Sequence, residues 1–175
     1  MKAEDFVRAI RQTIEDLKAN APDIVEEMAI SGKSLVQERI QREGFGRRYS
    51  EKYVPAFFLY GKALNAQGRA YLEEQDDKND LTNWKELRAA QGLQTDFVDL
   101  TYSGRMFNSL TVIRNEQAQA SFAAFVGSSD QEGEKKLLYN ANRYGDFLAL
   151  NAEERIEIDD IARERLELIL RKRLA

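Results

Sequence analysis

The sequence predicts an α+β domain: a small antiparallel sheet packed against long N-terminal and C-terminal helices, with a partly helical insertion. Three observations predict it. Apolar residues recur at helical spacing through most of residues 4 to 43. The period shortens to that of a strand between residues 111 and 127, and a capping pattern at Asn151 then opens a long amphipathic segment.

Taken in order, Phe6, Ile10, Ile14 and Leu17 make one helical stripe that Val7 widens. Asn20-Ala21-Pro22 interrupts it, because proline disfavours helical geometry in the residue before it. The pattern resumes with Ile24, Val25, Met28, Leu35, Val36 and Ile40 and stops at Glu43-Gly44. The two segments either pack together or form one bent helix, and Gly32 marks a bend or a close contact. Residues 45 to 98 read as an insertion within a single domain spanning residues 1 to 175. Within it, residues 56 to 75 have some helical character, YLEEQDDKND is a solvated acidic loop, and Thr82 is placed to cap a short helix closed by Gly92. Trp84, Leu87 and Arg88 would share one face of that helix.

Strands are expected at TVIRN (111 to 115) and QASFAAFVG (119 to 127), joined through Glu116-Gln117-Ala118 as a hairpin. Gly127-Ser128-Ser129-Asp130 is a turn cluster, and EKKLLYNANRYG is a short helix ending at Gly145. Phe147 to Leu150 is either a third strand or an extended docking segment. Asn151 with Glu154 has capping-box spacing, and Ile158, Ile161, Leu166 and Ile169 supply the apolar face of the last helix. Glu167 and Arg171 make an i,i+4 pair there.

Composition narrows the chemistry. The 175-residue chain has neither cysteine nor histidine, so disulfides, thiolate catalysis, His-ligated zinc and Ser-His or Cys-His pairs are excluded. Carboxylate pairs, lysine chemistry and all-oxygen metal sites survive. A formal charge of −4 argues against a general phosphate-binding surface. The N-terminal MKAEDFVRAIRQ lacks the apolar run of a signal peptide, and no stretch approaches the length of a membrane span. The acidic residues at 73 to 80 lack the glycine turn of a calcium loop, and those at 153 to 160 suit the first turns of a helix. No catalytic residue, cofactor or metal is expected.

One mixed stretch stands out. Arg47, Arg48, Tyr49, Tyr53, Phe57, Phe58 and Tyr60 interleave cations with aromatics, as protein interfaces do. Single-stranded nucleic acid can be bound by the same residue types, so an adaptor using residues 47 to 69 is one alternative. A carboxylate-dependent hydrolase is another. Ser103-Gly104 in "DLTYSGRMFNSL" reads as a turn rather than a nucleophile, since no histidine can activate the serine.

The order of motifs in the second half resembles the phage virion morphogenesis family of tail-completion and head–tail joining (neck) proteins. Leu100, Ser103, Gly104, Met106, Ser109 and Leu110 match its L-x-x-[TS]-G-x-[LM]-x-x-S-[LIV] turn. Val126-Gly127 match its strand end, and Tyr139, Ala141 and Gly145 match its Tyr-Ala…Gly stretch loosely. Phe147-Leu148-Ala149-Leu150-Asn151 matches F-L-G-L-[ST], with Ala for Gly and Asn for Ser or Thr. The resemblance covers residues 97 to 175. It implies a non-enzymatic structural subunit, found in the virion and in the host cytoplasm during assembly. Its implied partners are other virion head, neck or tail proteins and further copies in a ring, with no membrane, no small-molecule substrate and no nucleic acid.

Overall fold

The computed structural model describes residues 3 to 62, 64 to 75, 80 to 101, 104 to 115 and 122 to 174. Its architecture is α+β, with helices and two small antiparallel two-stranded sheets. The chain forms two compact units: Met1–Gln37 with Phe107–Ala175, and Glu38–Met106. The second contains all of the 45 to 98 stretch. Among the described residues, no helix is long and apolar enough to cross a membrane.

The first unit is built on helix α1 (Ala3–Glu43), whose last turns belong to the second unit. The expected interruption at Asn20-Ala21-Pro22 does not occur: α1 runs through Pro22. Proline removes one backbone donor and crowds the preceding turn, a cost that the flanking turns of this 41-residue helix absorb. Strands β3 (Leu110–Asn115) and β4 (Ala123–Ser128) pair antiparallel in the register Val112 to Val126 and Ile113 to Phe125. The expected connection at residues 116 to 118 lies outside the described residues. Alternation puts Leu110, Val112 and Arg114 on one face, and that face meets α1: Arg114 pairs with Asp23 and Glu26. Ile113 and Phe125, on the opposite face, are exposed.

Helix α5 (Gln131–Tyr144) starts at Asp130, whose side chain accepts from the Gly133 N–H, and stops at Gly145 with φ +81°. Residues 147 to 150 form turns rather than a third strand, with Phe147 buried. Helix α6 (Ala152–Leu174) opens with a complete capping box. The Glu154 N–H donates to Asn151 Oδ1 and the Asn151 N–H to Glu154 Oε2, both at 2.8 Å. Helix α6 docks on α1 at two heights, through the Arg165–Glu27 pair and through Ile158 beside Gly32. A Cβ on Gly32 would stand 3.5 Å from Leu150, so this glycine is a site of close packing.

In the second unit, Gly44 ends α1 with φ +67°. A Cβ there would come within 2.9 Å of the Val98 carbonyl, so only glycine fits. Strand β1 (Val54–Pro55) pairs with β2 (Leu81–Thr82) and leads into a 3-10 turn at Ala56–Leu59. Helix α2 (Ala66–Glu74) follows, so the helix expected from residue 56 is a 3-10 turn followed by a separately capped α-helix. Glu73 and Glu74 of the expected acidic loop are its last residues, and residues 76 to 79 lie outside the described residues. Helix α3 (Trp84–Ala90) is capped by Asn83 rather than Thr82, whose backbone is held in β2. Ala56, Leu59, Leu72 and Leu87 form the core here, with Trp84 and Tyr71 packed on it. Helix α4 (Arg105–Asn108) carries the return to the first unit.

Candidate interaction surface

The mixed stretch divides into two groups that point opposite ways. Tyr49 turns inward. Its ring lies under the Arg88 guanidinium, whose Cζ is 4.1 Å from the ring centroid, and its hydroxyl donates to Asp99 Oδ1 at 2.6 Å. Arg88 is 1% exposed and its Nη2 reaches both Asp99 oxygens at 3.1 Å, while Nε donates to the Gln94 carbonyl. Nη1 has no hydrogen-bond partner among the described residues.

Electrostatics in this cluster follow from burial and pairing. Burial, followed by the bond to Asp99, pushes the Tyr49 hydroxyl well above its ordinary value. Burial also pushes the Asp99 carboxyl up. The Tyr49 hydroxyl, the Thr101 donors and the Arg88 charge outweigh it and hold Asp99 below its usual range. Sequence periodicity placed Arg88 on one helix face with Trp84 and Leu87, but nothing in the spacing linked it to Asp99 or to Tyr49.

Phe57 and Phe58 turn outward. They are 58% and 62% exposed, with ring centroids 4.3 Å apart. The 3-10 turn explains this, since it sends Ala56 and Leu59 into the core and leaves the two residues between them outside. Tyr53 and Tyr60, on either side in sequence, are anchored through their hydroxyls. The Tyr53 hydroxyl donates to Glu86 at 2.7 Å, which raises its pKa, and the Tyr60 hydroxyl donates to the Leu72 carbonyl at 2.7 Å. Arg47 and Arg48 are exposed. Leu81, on the adjoining β2, adds a further exposed apolar side chain. The exposed aromatic pair thus sits on a 3-10 turn whose neighbours Tyr53 and Tyr60 are tied by their hydroxyls to α3 and α2.

A pocket of about 440 Å³ adjoins Tyr53 and is lined by Glu51, Asn83, Lys85 and Glu86. Its carboxylates are engaged: Lys85 donates to Glu51 at 2.6 Å and holds it below its usual range. Among the described residues, no group of three or more acidic side chains is close enough to hold a metal ion.

The motif residues of the second half fall into distinct settings. Leu100 has φ +56° and Gly104 φ +66°, so the chain turns through left-handed geometry at both; Ser103 lies outside the described residues. Met106 is buried in the second unit. In the first unit, Ser109 is buried, accepts from Ser128 Oγ at 3.0 Å, and lies against Gly133 of α5. Leu110, Val126 and Leu148 converge on Met28, Gly32 and Val36 of α1 around a small apolar pocket. Gly127 leaves room for Ile113, and Phe147 is buried. Comparison with protein-family models, with curated proteins and with solved structures finds no match.

Proposed function

We propose that this chain is a structural protein of virion assembly, acting in tail completion or as a head–tail connector (neck) subunit. The observation that carries the proposal is the order of four motif elements within residues 97 to 175, together with the helix that follows them. Their residues serve turns and packing: Gly104 turns the chain, Ser109 admits α5, and Leu110, Val126 and Leu148 meet α1. In this reading the protein acts by docking. Phe57 and Phe58, exposed and packed on each other, are the anchors that a virion partner buries, and the exposed Arg47, Arg48, Tyr53 and Tyr60 of the same segment are further candidates for contact. Electron microscopy of lysates from a phage lacking this protein tests the reading. It predicts filled heads and separate tails; intact virions would overturn it.

A further inference from the structure

We propose that the pocket between α1 and the β3–β4 sheet binds a short aliphatic carboxylate, with its chain in the apolar interior and its head group on Lys33. The site lies wholly within the first unit and shares no residue with the exposed aromatics of the second.

Small side chains create the space. Ala29 and Gly32 face it from α1, and Ala124 faces it from β4, so helix and sheet meet without filling the gap between them. Leu148 and Leu150 approach from the segment before α6, and about 170 Å³ remains. Val126 lines the same pocket and is 37% exposed, so the space is open to solvent along β4. An apolar space of roughly 150 Å³ accepts a ring of about six carbons, which sets the size of the ligand.

Lys33 sets its charge. It is the one charged side chain lining the pocket among the described residues, and it is half-buried. Its Nζ donates to the Leu110 carbonyl at 3.5 Å, a long contact, and no acid pairs with it among the described residues. The positions three and four away on α1 are Ala29, Ile30, Val36 and Gln37, all uncharged. Other cations that meet α1 are answered by acids: Arg114 pairs with Asp23 and Glu26, and Arg165 with Glu27. Lys33 alone of these three has only a backbone oxygen. A half-buried ammonium beside apolar walls selects an anion with an apolar tail. One point charge suits a singly charged carboxylate, whereas a phosphate draws on several donors that these walls lack. The bound chain would complete the packing of the sheet on α1 and so raise stability.

The full chain is titrated calorimetrically with hexanoate, hexanol, hexylamine and butanoate. Hexanoate is expected to bind at one site, tighter than hexanol by about tenfold or more, the worth of a hydrogen bond to a charged group. Butanoate, two methylenes shorter, is expected to bind roughly tenfold more weakly than hexanoate. Hexylamine is expected not to bind. Lys33→Met keeps the aliphatic stem and should bring hexanoate down to the level of hexanol. Ala124→Leu fills the pocket and should abolish binding of both, with circular dichroism to verify folding. Should that variant not fold, Ala29→Leu fills the pocket from the helix side. No binding at millimolar hexanoate, or either folded variant binding hexanoate as wild type does, would overturn the site. Equal affinity of wild type for hexanol and hexanoate would assign the pocket to a neutral apolar group and overturn the carboxylate.

Discussion

The Arg88 guanidinium and the Asp99 carboxylate meet at 3.1 Å where the two side chains are 1% and 6% exposed, so this ion pair is sealed inside the second unit. Asp99 also bonds the Thr101 N–H at 2.9 Å, just after Leu100 adopts its left-handed conformation. The pair therefore links α3 to the segment that leads out of the unit. Replacing Arg88 with Met, or Asp99 with Asn, leaves a buried group without its partner. A loss of roughly 3–5 kcal/mol is expected in urea unfolding. A loss below about 1 kcal/mol would mean that the pair behaves as an exposed one.

Acid should reach the same pair. Asp99 is held below its ordinary value in the folded chain, so its contribution is present above the unfolded pKa of about 3.9 and fades as pH falls through the lower folded value. Stability measured from pH 6 downward, with steps of about 0.5 unit around that reference, should show a decline that D99N flattens. Equal slopes for both proteins would remove Asp99 from the account.

Tyr49 gives the opposite limb. Its hydroxyl is raised in the folded chain, so its contribution holds below the unfolded pKa of about 10 and falls as pH rises beyond it. Ultraviolet titration should find late-ionising tyrosine absorbance, to which Tyr53, raised by its bond to Glu86, also contributes. Y49F should shrink that late step, and an unchanged late step in Y49F would assign it elsewhere.

Gly133 lies so close to Ser109 and Ser128 that an added Cβ would stand 2.1 Å and 2.2 Å from their hydroxyl oxygens. G133A should destabilise by about 1–3 kcal/mol through overpacking. Pairing it with S109G should recover part of that loss. Additive losses in the double variant would show that the two positions do not share this contact.

The capping box on α6 is a smaller test. N151A removes the acceptor for the Glu154 N–H and should cost about 1 kcal/mol. F57S/F58S, by contrast, changes exposed side chains and should alter stability by no more than about 0.5 kcal/mol per site. Thermal unfolding of the two variants side by side measures both, and a larger loss in F57S/F58S would make those rings part of the core.

What was legible in the sequence was mostly local. The Asn151–Glu154 box, the Gly145 stop and the β3–β4 pairing follow from spacing and turn chemistry, and the structure has them all. Pro22 misled because a single local penalty does not end a helix that is supported on both sides. Thr82 misled because a strand pairing claimed its backbone and moved the cap one residue on. In the mixed stretch, residue types alone could not separate Tyr49, which is stacked under Arg88, from Phe57 and Phe58, which face solvent. That division depends on the 3-10 turn and on a partner fifty residues away at Asp99. Long-range pairing of this kind leaves no periodic trace.

Reconstitution of joining from separated parts tests the proposed role in assembly. Heads and tails from a phage lacking this protein are mixed with the purified chain, and joined infectious particles are counted. Wild-type chain is expected to restore joining in proportion to the amount added, while F57S/F58S is not. Joined particles at full yield without added chain, or no joining at any amount of it, would rule out a role in joining.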